Sequence, residues 1–244
     1  MPRIMGITDV SFSDWRGEVC AVIFLGGCNL RCHYCHNKGF VDGTLATAPG
    51  GKDAFIQKLD RLKSNCTNCI CVSGGEPLGS IDLIDFLTEV KSAGFNVKLD
   101  TNGTYPGELK EVVGKKLVDY VALDIKAPLS DAEYRKVTQR DIMAPNLIAS
   151  SVRLLEREMP NSYELRTTCF NPYHTKEKIG ELYNSLLRTL VGDHRKLNEV
   201  WNAVPAKQTD CLSSCLNSYT EIDGEWLKAE VDSLKHYNLM QEAP

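Results

Sequence analysis

Gly26-Gly27-Cys28-Asn29-Leu30-Arg31-Cys32-His33-Tyr34-Cys35-His36-Asn37 follows directly on the apolar run Cys20-Ala21-Val22-Ile23-Phe24-Leu25. The run is strand-length and rich in β-formers, and the two glycines end it. Three cysteines at spacings of four and three residues then share one loop. Thiolates so placed wrap a single inorganic centre. A cubane iron–sulfur cluster takes four ligands, so three leave one iron open to an external group. The segment Cys32-His33-Tyr34-Cys35-His36 also fits the spacing of a c-type haem attachment, which leaves Cys28 without a part. A structural zinc site is a further option, with His33 or His36 as fourth ligand.

Outward from this loop, apolar β-rich runs recur at Cys69–Ser73, Asn96–Asp100, Val118–Asp124, Tyr163–Thr168 and Leu197–Val204. Helix-like segments separate them, at Lys52–Lys63, Ser80–Ala93, Pro106–Gly114, Asp131–Thr138, Asn146–Glu158 and Thr175–Leu190. A last helix is expected over Glu225–Tyr237. Ser80 reads as the N-cap of its helix and Gly94 as its stop. Strands alternating with helices predict an α/β fold with a parallel sheet, open or curled into a partial barrel. Residues 1–205 read as one core domain and 206–244 as a C-terminal extension packed on it. Asn37–Gly51, rich in Gly, Thr and Ala, reads as a long loop that orders on a partner.

Polar motifs fall at or just beyond the carboxyl ends of successive predicted strands, where parallel folds build their sites. Gly74-Gly75-Glu76-Pro77 follows the second strand, and its glycines let backbone approach a ligand and offer carbonyls to an ammonium. Asp100-Thr101-Asn102-Gly103-Thr104 follows the third, with carboxylate, hydroxyl and amide at one tip. Asp124-Ile125-Lys126 ends the fourth, with Asp124 and Lys126 on one face by two-residue alternation. Arg166 lies at the end of the fifth.

The C-x3-C-x2-C loop, with an aromatic just before its third cysteine, resembles the radical S-adenosylmethionine superfamily. Tyr34-Cys35-His36-Asn37 is similar to its glycyl-radical-enzyme activating branch. The lead-in Asp14-Trp15-Arg16-Gly17, then Ala21–Leu25, resembles the activating proteins of anaerobic ribonucleoside-triphosphate reductase. The resemblance runs from about residue 5 to 205 and implies a partial (β/α)6 barrel of parallel strands with a C-terminal helix. It implies a 4Fe–4S cluster on Cys28, Cys32 and Cys35, and S-adenosylmethionine bound by Tyr34, Asn37, Gly74, Gly75, Glu76, Asp100, Thr101, Asn102, Asp124, Lys126 and Arg166. It also implies a monovalent cation near Asp100, Thr101 and Asp124. The implied partners are a glycyl-radical enzyme and a low-potential electron donor such as ferredoxin or flavodoxin. Other activities fit the same loop: a radical enzyme acting on a small molecule or RNA, a non-catalytic electron carrier, or a zinc-binding interaction module. One departure is Val204-Pro205-Ala206-Lys207, which lacks the histidine that pyruvate formate-lyase activators tend to carry there.

Net charge is -4, from 32 acidic and 28 basic side chains, and no basic run exceeds Lys115–Lys116. Neither nucleic acid nor an anionic membrane is therefore an expected partner. Met1–Val10 has no apolar core of a signal peptide, and no apolar run approaches membrane-spanning length. Ten cysteines in a chain of 244 residues without an export signal point to a reducing, cytoplasmic setting and to metal or redox chemistry. Cys66, Cys69, Cys71, Cys211 and Cys215 lie outside the loop and are candidates for a second cluster or a zinc site. Cys20, Cys71 and Cys169 read as buried strand thiols.

Overall fold

The computed structural model describes residues 1–35, 37–41, 51–64, 67–206 and 221–241. Packing divides the chain into one unit of residues 1–29, 37–101 and 107–122, and another of residues 30–36, 102–106 and 123–244. His36, Cys66, Cys211, Cys215 and most of the expected 37–51 loop lie outside the described residues.

The first unit holds β1 (Ile4–Ser11), β2 (Cys20–Leu25), α1 (Lys38–Val41), α2 (Gly51–Ser64), β3 (Cys69–Gly74), α3 (Leu83–Ser92), β4 (Asn96–Thr101) and most of α4 (Pro106–Gly114). β2 pairs in parallel with β3, and β3 in parallel with β4. Parallel neighbours need a crossover, which α2 and α3 supply. Leu83, Phe86, Leu87 and Val90 recur at helical spacing on α3 and are all buried. Phe86 meets the buried Phe55 of α2 with ring centroids 5.0 Å apart. Strands covered on both faces read as continuous apolar runs, and β2 and β3 do so. Their register sets Cys20 against Cys69, Val22 against Cys71 and Leu25 against Gly74. The cysteine loop and the Gly-Gly turn therefore leave neighbouring strands side by side.

The expected sheet lacks β1, which pairs antiparallel with β2. Six of its eight residues are partly or fully exposed on an edge, so no buried periodicity announces it. Ser80 is not the cap of α3: it closes the 3-10 turn Pro77–Gly79, and the helix starts three residues later. Gly94 does end α3, in a left-handed conformation with φ of 80°.

β5 (Tyr120–Asp124) runs across the division, with Leu123 and Asp124 in the second unit. That unit holds α5 (Asp131–Thr138), α6 (Ala144–Glu158), β6 (Tyr163–Cys169), α7 (Lys176–Leu187), α8 (Arg195–Val200), β7 (Trp201–Pro205) and α9 (Gly224–Gln241). β6 and β7 are parallel, with Leu165 against Trp201. The amide of Ile125 donates to the carbonyl of Arg166 at 2.7 Å, tying the end of β5 to β6. Leu197–Val204 is not one strand: Leu197 and Val200 are buried on α8, and the strand starts at Trp201. Leu227 and Val231 of α9 are buried, and Lys235 donates to the Trp201 carbonyl at 3.0 Å. No helix among the described residues is long and apolar enough to cross a membrane.

Candidate active site

In the first unit the site begins where β2 and β3 end. The amide of Gly75 donates to the Leu25 carbonyl at 2.8 Å, and that of Glu76 to the Gly27 carbonyl at 2.7 Å. The Gly27 amide in turn donates to the Phe40 carbonyl at 2.8 Å. Backbone thus stitches the start of the cysteine loop, and with it Cys28, to the Gly-Gly turn. Glycine is required for this approach. A Cβ at position 74 would lie 2.3 Å from the Leu25 carbonyl oxygen, and one at position 75 would lie 1.9 Å from that of Gly27. Gly74 also takes a φ of 113°, which side chains disfavour. Its carbonyl accepts the Asn37 side-chain amide at 2.6 Å, which brings Asn37 to the turn.

Glu76 is buried, and its Oε1 accepts the Leu78 amide at 3.1 Å and the Thr101 hydroxyl at 2.7 Å. Glu76 and Thr101 therefore hold each other and shape the tips of β3 and β4. Asp100 stands between two side chains of its own unit: Lys98 Nζ donates to Oδ1 at 2.8 Å, and Ser73 Oγ to Oδ2 at 3.2 Å. Lys98 is a buried lysine that the sequence reading did not single out. Its signal is a cation between Val97 and Leu99, inside an otherwise apolar strand and two residues before an aspartate.

In the second unit, Asp124, Lys126, Arg166 and Tyr34 come together. Arg166 Nε donates to Asp124 Oδ1 at 3.0 Å and Lys126 Nζ to Oδ2 at 3.3 Å. Burial pushes the Asp124 carboxyl up, but Arg166 and Lys126 outweigh it and hold the group below the ordinary carboxylate value. Lys126 Nζ lies 6.0 Å from the centre of the Tyr34 ring, which packs 4.6 Å from Phe170. Tyr34 is buried, which raises its hydroxyl well above the usual tyrosine value. Asn102 is also buried and turns inward, accepting the Thr104 amide at 3.0 Å and hydroxyl at 2.6 Å. It closes its own turn.

Cys28 belongs to the first unit, and Cys32 and Cys35 to the second. None of the three is in a disulfide; Cys32 is buried and the others are half-buried. The Cys35 amide donates to the Cys32 carbonyl at 3.2 Å. Arg31 and His33 amides bind the Thr138 and Val137 carbonyls at the end of α5, fixing this half of the loop. Among the described residues no three His, Cys, Asp or Glu side chains gather closely enough to enclose a metal ion. Three thiols outside any disulfide are soft donors of the kind an iron–sulfur cluster takes, and beside Cys28 the Gly74–Gly75 backbone lies against Leu25 and Gly27 with no room for a Cβ. Of the other cysteines, Cys20, Cys69 and Cys71 are buried with Trp15 and Val22 at the far end of the same strands.

A family model of the radical SAM superfamily matches residues 22–186. A putative glycyl-radical enzyme activating enzyme of Methanocaldococcus jannaschii is 41% identical over 125 residues, 50% of this chain and 50% of that protein. The pyruvate formate-lyase-activating enzyme of Clostridium pasteurianum is 30% identical over 206 residues, 72% of this chain and 83% of that enzyme. The crystal structure of a radical SAM methyltransferase from Sphaerobacter thermophilus shares the fold, with a TM-score of 0.63 at 12% identity over 96% of this chain and 67% of that one. This chain thus spans half the length of the first relative and most of the second. The match over two-thirds of the residues, on the strands and tips described above, means that the chain belongs to the radical SAM superfamily, in its branch of glycyl-radical enzyme activating enzymes.

Proposed function

We propose that the chain cleaves S-adenosylmethionine reductively and uses the resulting 5′-deoxyadenosyl radical to place a glycyl radical on anaerobic ribonucleoside-triphosphate reductase. The observation that carries the reading is the stitching of Gly74–Glu76 onto Leu25–Gly27, which sets the Gly-Gly turn against the start of the cysteine loop. Cys28, Cys32 and Cys35 would hold the 4Fe–4S cluster, with Tyr34 walling the loop. When bound, the cluster and S-adenosylmethionine supply a low-potential electron and a sulfonium bond that it can break.

The chain's own residues bind and orient. The backbone at Gly74 and Gly75 would receive the amino group of S-adenosylmethionine, and Asn37 braces that turn. Glu76, Thr101 and Asn102 set the shape of the strand tips on which Asp100 stands. Lys126 and Arg166, aligned by Asp124, offer two cations to carboxylate or ribose. Ferredoxin or flavodoxin would deliver the electron, in the cytoplasm. The reductase, rather than pyruvate formate-lyase, is favoured by Asp14-Trp15-Arg16-Gly17 and by Val204-Pro205-Ala206-Lys207, which has no histidine.

Anaerobically reconstituted protein should yield methionine and 5′-deoxyadenosine with dithionite and S-adenosylmethionine, and Cys35→Ser should abolish both products. Mixing with the reductase should give a glycine-centred signal in electron paramagnetic resonance. Product formation without that signal would favour a small-molecule or RNA substrate. Full turnover by Cys35→Ser would overturn the cluster assignment.

A further inference from the structure

We propose that Lys98 supplies from within the chain the positive charge that a bound monovalent cation would bring to Asp100. The inference rests on the reading of Asp100 as part of the S-adenosylmethionine site. The resemblance to the superfamily implies a cation beside Asp100, Thr101 and Asp124, and each of these groups is already engaged within its own unit. Lys98 Nζ lies 2.8 Å from Asp100 Oδ1, and the second oxygen accepts from Ser73 Oγ at 3.2 Å. The Thr101 hydroxyl donates to Glu76 Oε1 at 2.7 Å. In the other unit the two oxygens of Asp124 meet Arg166 and Lys126.

Lys98 cannot withdraw to make room. Its side chain is 2% exposed and its ammonium also donates to the Asp14 carbonyl at 2.6 Å, in the connection between β1 and β2. Burying an ammonium is costly unless it is paired and hydrogen-bonded, and this one is both. A metal ion on the same carboxylate would face a fixed like charge held 2.8 Å from one of its oxygens, in a site that water screens weakly. Alternation along β4 places Lys98 and Asp100 on one face, so the pairing is written into the strand.

Two measurements test this on the whole protein. The first is S-adenosylmethionine affinity, by equilibrium dialysis of reconstituted protein in potassium chloride and in tetramethylammonium chloride. Wild type should bind equally in both. Lys98→Met should bind about tenfold more weakly without potassium and recover with it. Wild-type affinity that falls when potassium is removed would overturn the proposal, as would a variant that binds like wild type in both salts. The second is the thallium-205 resonance of Tl⁺ added without S-adenosylmethionine. No bound signal is expected from wild type, and its appearance would overturn the proposal. The wild-type arms decide the matter even where Lys98→Met fails to fold. Absence of S-adenosylmethionine binding by wild type in either salt would sink the functional reading, while the thallium arm would still decide the role of Lys98.

Discussion

An alanine at position 75 would drive its Cβ to 1.9 Å from the Gly27 carbonyl oxygen, a backbone atom held by its own bond to Glu76. Gly75→Ala should therefore cost about 1–3 kcal/mol in urea unfolding and weaken S-adenosylmethionine binding as the turn is pushed away. Gly27 differs. Its φ is 94°, but a Cβ there meets nothing within 4 Å, so Asn, which tolerates that region, should be accepted far better than a branched side chain. Equal losses for Gly27→Asn and Gly75→Ala would contradict this. The thiols also divide by surroundings. Burial pushes Cys169 up to about 12, and burial then the charge of Asp14 push Cys20 up to about 11. In cluster-free protein at pH 8, iodoacetamide should label the half-buried Cys28 and Cys35 well before Cys20 and Cys169, as read by peptide mass spectrometry. The cysteine loop and the strand-tip motifs were legible because special residues at fixed spacing have few other uses. Lys98 was not, because its role depends on a neighbouring strand and on the Asp14 carbonyl, which no local pattern records.

Elements were legible where burial on both sides or a clean helical stripe left one interpretation, as for β2, β3 and α3. The stretch 197–204 failed because Leu197, Val200 and Trp201 satisfy a helical spacing and a strand composition at once. β1 escaped because an edge strand with a Gly and four polar or exposed positions carries little periodicity. The connection from β6 to α7 turns on His174, which is fully buried. Its Nδ1 accepts the Phe170 amide at 3.2 Å, and its ring packs edge-on against Phe170 and Tyr173. Burial lowers its pKa from 6.5 to about 4. The folded chain keeps this imidazole neutral while the unfolded chain protonates it, so its contribution is complete above pH 6.5 and is lost as pH falls toward 4. At pH 5 the loss is about 2 kcal/mol. His174→Gln should flatten the change in urea midpoint between pH 7 and pH 5. An unchanged slope would show that other groups set it.

For the whole molecule, the alternation of strands and helices was enough to give the α/β class and the parallel neighbours, because each crossover needs its own helix. The reading of 206–244 as a packed extension makes a further prediction. Leu227 and Val231 of α9 are buried, Asn198 donates to the Lys235 carbonyl at 3.3 Å, and Lys176 pairs with Glu230. Removing residues 221–244 should lower stability by about 3 kcal/mol or more, given what two buried aliphatic side chains contribute. Calorimetry would register this, and an unmoved transition would make the segment a mere appendage. β1 has its own consequence. It forms the outer rail of its sheet, and its register slips twice, between Ile4 and Gly6 and between Thr8 and Ser11. Asp9 on that rail pairs with Lys58. A rail so bent and charged offers no flat template to a second strand. Concentrated samples should accordingly resist ordered fibre growth from this side, whatever the state of the cluster.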